Sequence, residues 1–199
     1  MKRLHAFTLR AVALLALLAP AVASAHPGTP GHTHGFVNGA AHPLSGLDHL
    51  LAMVAVGIFA AQRGGRALWQ LPLAFVSVMA LGGILGMAGL GEIPLLEQII
   101  AASVLVFGIL IATASRLPLK TGIAIIGLFA LFHGYAHGAE MPVAASGLSY
   151  AIGFLLTTAL LHLAGIGLGL SARWIRSPGL IRALGCLIVA AGVGLIFTA

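Results

Sequence analysis

Two segments of this sequence carry the side chains that could do chemistry. The first, HPLSGLDH, covers residues 42–49, and the second, FHGYAHGAE, covers residues 132–140. Ionisable groups inside apolar runs are costly in a membrane and by default indicate function. Imidazoles and carboxylates without thiolates suit a borderline divalent ion such as Ni²⁺, Co²⁺ or Zn²⁺ and argue against Cu⁺. The segments therefore predict a metal-ion site with six ligands: His42, Asp48, His49, His133, His137 and Glu140.

The spacing within each segment predicts which side chains share a helix face. The three ligands of the second segment lie at i, i+4 and i+7, which is one stripe of a helix. In the first segment we expect a helix to begin at Pro43, because the missing N–H of proline costs nothing at the first helical position. His42 and His49 would then share a face. Antiparallel packing of the two helices would bring His49 beside His133 and His42 beside His137.

Four further histidines are weaker candidates for the same ion. His162 stands alone in an apolar run, where it is either an inner station for the ion or a hydrogen-bond partner of Thr158, four residues earlier. The other three lie in a Gly- and Pro-rich N-terminal stretch, which either chelates metal or is a solvated linker that happens to contain histidine. These three are His26, His32 and His34.

The composition places these groups in a membrane protein. Hydrophobic residues make up 60% of the 199 residues and charged residues only 7%, and the mean hydropathy is +1.10. A soluble domain carries about 25% charged residues, and a disordered chain is polar, so both classes are excluded. The net charge of +6 does not indicate a nucleic-acid partner, because the basic residues are scattered between apolar runs and form no phosphate-binding stripe.

The apolar runs predict an all-α, polytopic membrane helix bundle. Residues 1–25 are typical of a cleaved signal peptide, with a basic start, a short apolar core and the small-residue pattern Ala23-Ser24-Ala25. An uncleaved anchor is the alternative. Residues 26–41 would be an external polar segment, and residues 42–199 would form six transmembrane helices. Their apolar runs lie at about 44–61, 67–90, 95–114, 121–139, 143–170 and 179–198.

The distribution of charge predicts the orientation of this bundle. All Lys and Arg residues beyond the signal lie in or beside the connections after spans 1, 3 and 5, whereas the other connections carry glutamates and no basic residue. By the positive-inside rule, both mature termini lie outside the cell (inner) membrane. Two halves of three spans would then have opposite orientations, as in inverted-repeat transporters.

Glycines spaced by four residues predict close helix packing in the lipid. One such pair follows His133 and His137 by one position each, and we expect it to let the two ligand-bearing helices approach each other. The three pairs are Gly82/Gly86, Gly134/Gly138 and Gly165/Gly169.

At both segments the chain resembles the HupE/UreJ family of nickel and cobalt permeases. That family carries an HPxxGxDH motif in its first span and an FHGxxHGxE motif in its fourth, and both stand intact here. The likeness also covers the signal, the six spans and the stretch from Ser149 to His162. The resemblance implies a secondary permease for Ni²⁺ or Co²⁺ that is not an enzyme, holds no resident cofactor and indirectly serves hydrogenase, urease or cobalamin assembly.

Two other functions use the same residues. The pattern Ser45-x-x-Asp48-His49 with His133-x-x-x-His137 resembles the zinc arrangement of integral-membrane lipid-amide hydrolases, in which Zn²⁺ activates a water molecule. Those proteins usually have seven spans and another order of motifs, which counts against this alternative. The other alternative is a membrane assembly factor that binds metal without transporting it. The oligomeric state stays open, a homo-oligomer included.

Overall fold

The computed structural model describes residues 35–89, 91–141 and 146–199, and within these ranges the chain forms helices joined by short connections, without a strand. The predicted signal peptide and His26, His32 and His34 lie outside the described residues. The helices are α1 (Gly35–Ser45), α2 (Leu47–Arg63), α3 (Ala67–Met87), α4 (Leu96–Ala112), α5 (Leu119–Ala139), α6 (Gly147–Trp174) and α7 (Pro178–Thr198).

Four of these helices, α3, α5, α6 and α7, are long and apolar enough to cross a membrane. The helices α1 and α2 meet the same criterion only when taken together, and α4 is apolar but only 17 residues long. The described part of the chain is therefore an all-helical membrane protein with four candidate spans, or five with the α1–α2 pair. Each predicted apolar run coincides with a helix, but the count of six spans stays a prediction.

The first ligand segment is broken into two helices, which corrects the prediction of one helix beginning at Pro43. The helix α1 begins at Gly35, inside the stretch assigned to the N-terminal polar segment, and Pro43 lies near its end. The chain then breaks at Gly46, whose extended backbone (φ −101°, ψ 125°) starts α2 at an angle of 82° to α1. His42 and His49 therefore lie on different helices and do not share a helix face.

The body of the protein consists of three helix pairs, in which α3 packs on α5, α4 on α7, and α2 on α6. The short helix α1 lies against the N-terminal part of α6. At the centre, every residue of α2 from Ala52 to Ala61 is buried. A helix that is apolar on all sides is stable only when other protein or lipid surrounds it, and α2 packs against α1, α3, α4, α6 and α7.

Glycines set the close approach within the α3–α5 pair. A Cβ added at Gly134 would overlap the carbonyl oxygen of Met79, and one added at Gly138 would overlap that of Gly83. The predicted Gly82/Gly86 pair makes the reciprocal approach from α3 to α5. The expectation that the glycines beside the α5 histidines admit the first ligand segment is therefore wrong, because they contact α3.

The α2–α6 pair is held in the same way. A Cβ at Gly57 on α2 would overlap the carbonyl oxygen of His162, and one at Gly165 on α6 would overlap that of Val54. Gly169, the partner of Gly165 in the predicted pair, lies against Ala61 on the same face. Small residues thus let both backbones approach closely, as helix packing in lipid requires.

Candidate metal site

Histidines from three helices meet where α1, the start of α2 and the end of α5 come together. The ring centre of His49 lies 5.0 Å from that of His133 and 4.5 Å from that of His137, and the ring of His42 lies 4.8 Å from His137. His133 and His137 are fully buried, His49 is nearly so, and His42 is partly exposed. The prediction that the two segments meet, His49 with His133 and His42 with His137, is confirmed.

Asp48 orients the ring of His49. One carboxylate oxygen, Oδ1, accepts a hydrogen bond from Nδ1 of His49 at 2.8 Å and another from its backbone N–H at 2.7 Å. The carboxylate also lies in the first turn of α2, where the helix dipole favours negative charge. Gly46 leaves the space for it, because a Cβ there would lie 2.6 Å from the same oxygen. A carboxylate that fixes an imidazole is typical of histidines that ligate metals.

The hydrogen bonds leave the Nε2 atoms of His49 and His133 as free acceptors. In His133, Nδ1 donates to the carbonyl oxygen of Phe129 at 2.9 Å, and in His49, Nδ1 donates to the carboxylate. A neutral imidazole with Nδ1 protonated carries its lone pair on Nε2. Both Nε2 atoms are buried without a hydrogen-bond partner, and His137 has no partner at either ring nitrogen. Buried nitrogens are seldom left in this state unless a ligand or water completes them.

Glu140 and His42 form the rim of the cluster. Nε2 of His42 lies 2.9 Å from Oε2 of Glu140, and the glutamate is half exposed at the C-terminal end of α5. The hydrogen bond from His42 lowers the pKa of the Glu140 carboxyl and so favours its ionised form. A negative charge is unfavourable at a helix C-terminus, which carries partial negative charge. The hydrogen bond from His42 offsets part of this unfavourable interaction, and a bound cation would offset it further.

The six predicted ligands adjoin, but their donor atoms are partly bonded to one another. Asp48 is paired with His49, and Glu140 is paired with His42. Across residues 35–89, 91–141 and 146–199, no group of three or more His, Cys, Asp or Glu side chains is arranged so that it could hold a metal ion. The structure thus brings these residues together, and coordination of an ion by them stays a prediction.

His162 lies deeper, and the hydrogen bond to Thr158, one of the two alternatives for this residue, is absent. Both ring nitrogens of His162 are buried without a partner, while the Thr158 hydroxyl lies 4.0 Å from the sulfur of Met79. The ring of Phe75 lies between the two levels, with its centre 5.6 Å from His133 and 5.0 Å from His162. Sequence reasoning missed Phe75, because a single phenylalanine in an apolar run carries no signal.

Two aromatic rings of α6 also border the site. Phe154 lies 5.2 Å from the ring of His137, and Tyr150 lies 5.9 Å from that of His42. The Tyr150 hydroxyl is buried without a hydrogen-bond partner, so this residue adds an unpaired polar atom at the edge of the site. The signal available in the sequence is that Tyr150 is polar within an apolar run.

The comparisons with known proteins agree over nearly the whole chain. The family described as HupE / UreJ protein matches residues 13–195. Protein HupE from Rhizobium leguminosarum bv. viciae is 43% identical over 184 residues, which cover 92% of this chain and 94% of the relative. The chain belongs to the HupE/UreJ family. That family is associated with nickel or cobalt uptake or with urease and hydrogenase maturation. No solved structure matches the chain.

In this HupE/UreJ protein the hydroxyl of the serine in the first segment is hydrogen-bonded within its own helix. The hydroxyl of Ser45 donates to the carbonyl oxygen of His42 at 2.6 Å and is exposed. A zinc hydrolase built on these residues would need that hydroxyl among the histidine nitrogens. The geometry therefore lends no support to the hydrolase alternative, and HupE/UreJ proteins are permease-like accessory proteins.

Proposed function

We propose that this protein is a secondary permease that takes up Ni²⁺ or Co²⁺ through a His/carboxylate site in the outer half of the membrane. The observation that carries the proposal is the pair of adjoining, buried rings of His49 and His133, each with Nε2 free and Nδ1 engaged. Neutral imidazole nitrogens are suitable ligands for these two ions. The family's association with nickel and cobalt supports the choice of ion.

The burial of the cluster supports an order for the transport steps. The ion exchanges water for ligands at the rim, formed by His42 and Glu140, and passes to Asp48, His49 and His133, with His137 beside them. The inner station is His162, which lies on the far side of the Phe75 ring from His133. The chain has no GxxxxGK[ST] phosphate loop, so the ion follows its gradient and the membrane potential. An inside-negative potential contributes about 2.3 kcal/mol per charge per 100 mV.

The site faces outward in this proposal. The mature N- and C-termini are external, in the orientation that the positive-inside rule gives for the cell (inner) membrane. His26, His32 and His34 then lie at the external mouth, where they raise the local concentration of metal. On the inner side, the ion supplies the assembly of a nickel or cobalt enzyme.

Reconstitution into liposomes that enclose a metal-responsive dye tests transport directly. We expect the wild type to admit Ni²⁺ or Co²⁺. Asp48→Asn should abolish entry, because it removes the charge that orients and polarises His49, and His133→Ala should do so because it removes a free Nε2. Ser45→Ala is the control: a permease retains most of its transport, whereas a hydrolase would lose its activity.

Two outcomes would contradict the proposal. Folded wild-type protein that binds the ion but admits none would favour the assembly factor. Unchanged entry in the Asp48→Asn and His133→Ala variants would refute the assignment of the site.

A further inference from the structure

Arginines line a cavity at the end of the bundle opposite the histidines. The cavity has a volume of about 310 Å³ and lies between the ends of α2 and α6 and the start of α7. Three guanidinium groups border it, together with the hydroxyl-bearing Ser177 and the amide-bearing Gln62, and its described lining includes no carboxylate. The three arginines are Arg173, Arg176 and Arg182.

The positive charge of this cavity is not neutralised by the described protein. Arg173 donates to the carbonyl oxygen of Ala61 at 2.8 Å, and Arg182 donates to that of Ala112 at 2.9 Å, each at the C-terminal end of a helix. A guanidinium has five N–H donors, so most donors of these arginines remain available. Within the described ranges, the ion pairs are those of the histidine cluster at the other end of the bundle.

Two tryptophans place the cavity at the depth of lipid headgroups. Trp69 at the start of α3 and Trp174 at the end of α6 belong to the same end of the bundle, and they are 56% and 70% exposed. Tryptophan is enriched at the membrane–water interface, where its ring is in apolar surroundings and its N–H reaches water. The cavity wall also includes Pro178 and Ile181, which provide apolar surface beside the arginines.

We propose that this cavity binds the phosphate of an anionic phospholipid, held by Arg173, Arg176 and Arg182. Arginine binds phosphate through paired N–H donors, and basic pockets between membrane helices are recognised sites for anionic headgroups. The N-terminus of α7, which begins at Pro178, adds partial positive charge. Free inorganic phosphate shares this chemistry, so the experiment must separate the two sources.

Native mass spectrometry of the full chain in a neutral detergent measures the binding without a charged membrane surface. We expect phosphatidylglycerol to bind about tenfold more tightly than phosphatidylcholine with the same acyl chains, the difference that charge-assisted hydrogen bonds typically give. Arg176→Gln should lower the affinity for phosphatidylglycerol by a similar factor, because it removes a lining charge whose guanidinium, unlike those of Arg173 and Arg182, makes no hydrogen bond to a helix end within the described residues. Arg176→Lys keeps the charge and should recover part of the affinity.

Arg116→Gln is the matched control, because Arg116 is exposed at the same end and lies outside the cavity lining. Its affinity for phosphatidylglycerol should equal that of the wild type. Equal losses in the Arg116 and Arg176 variants, or equal binding of the two lipids, would overturn the proposal. If inorganic phosphate binds on its own and displaces phosphatidylglycerol, the cavity is a phosphate site, and the proposal that its ligand is a lipid is wrong. Circular dichroism establishes that each variant is folded.

Discussion

His137 is fully buried, yet neither of its ring nitrogens has a hydrogen-bond partner. An unsatisfied buried polar group costs about 1–3 kcal/mol, so this histidine lowers the stability of the metal-free protein. A histidine kept for packing would instead be bonded to its surroundings. A residue that costs stability at the centre of a cluster is typical of a functional site.

The stability of a His137→Leu variant separates the two roles. Leucine has a similar volume and no polar atom, so the thermal unfolding midpoint in detergent with a chelator should stay the same or rise. Nickel uptake should be lost, because the ring nitrogens are gone. His133→Leu is a useful comparison, since it also removes the bond to Phe129 and should gain less stability. A lower midpoint together with normal uptake would show that His137 serves packing alone.

At this scale the sequence predicts which residues meet, because the i, i+4 and i+7 spacing in α5 and the antiparallel direction of α2 fix the contacts of His133 and His137. It cannot predict that Asp48 is bonded to the neighbouring His49, or that Phe75 contacts two histidines. Those contacts depend on side-chain rotamers and on which helix packs alongside. Neither is encoded in the spacing of residues along one segment.

At the scale of the helices, glycine-to-carbonyl contacts hold α3 against α5. A Cβ at Gly134 would overlap the backbone of Met79, and backbone cannot move aside as the end of a side chain can. Gly127 lies on the same helix, but a Cβ there would meet only a methyl of Val78 at 3.7 Å, an ordinary contact. Both are helical glycines of α5, and they differ in the space that a Cβ would find.

Alanine substitution at the two positions should have opposite effects. Gly134→Ala should lower the free energy of unfolding by about 1–3 kcal/mol, the usual cost of overpacking, and should displace the neighbouring His133. Gly127→Ala should be neutral or stabilise by up to about 1 kcal/mol, because alanine favours the helical backbone. Thermal unfolding in detergent measures both effects. Equal stability of the two variants would show that α3 and α5 do not pack through Gly134.

The break at Gly46 is the feature of the helices that the sequence does not predict. Pro43 is acceptable both at the start of a helix and near the end of one, so the local pattern permits either structure. The choice is made by packing, because Gly39 on α1 approaches the backbone of Tyr150, and Gly153 on α6 approaches that of Phe36. A contact between segments so distant in the sequence is not visible in either one.

At the scale of the whole molecule, the charges are separated to opposite ends. The described Lys and Arg residues lie at the C-terminal ends of α2 and α6, at the N-terminal ends of α5 and α7, and in the connections after α2, α4 and α6, whereas the four acidic residues lie at the other end. In the orientation proposed above, with the basic end inside, the histidine cluster would open outward. The sequence alone suffices for this inference, because it requires only the order of charges and apolar runs.

Reporter fusions test the orientation. Alkaline phosphatase fused after Ala199 should be active, since that enzyme requires the external side, and fused after Ser115 it should be inactive. Green fluorescent protein at the same two positions should show the reverse pattern. Activity at Ser115 and none at Ala199 would invert the topology, and the direction of transport would be inverted with it.

The pairing of helices also follows the predicted division into two halves, α2–α4 and α5–α7. In this division α2 corresponds to α5, α3 to α6 and α4 to α7. Exchanging corresponding helices converts the α2–α6 pair into α5–α3 and leaves the α4–α7 pair unchanged. These are the three main pairs observed. Such packing is consistent with an inverted repeat. The halves lack detectable sequence similarity, so the case for such a repeat rests on the contacts between helices alone.

The glycine contacts have a mechanical consequence. Because backbone meets backbone within α3–α5 and within α2–α6, we expect each pair to resist sliding and to move as one rigid unit. His49 belongs to the α2–α6 pair, and His133 and His137 belong to the α3–α5 pair. A cation bound by residues of both pairs would hold the pairs together, and separation of the pairs would release it. In the proposed transport mechanism, the contact between the two helix pairs is therefore where ion binding and helix movement would be coupled.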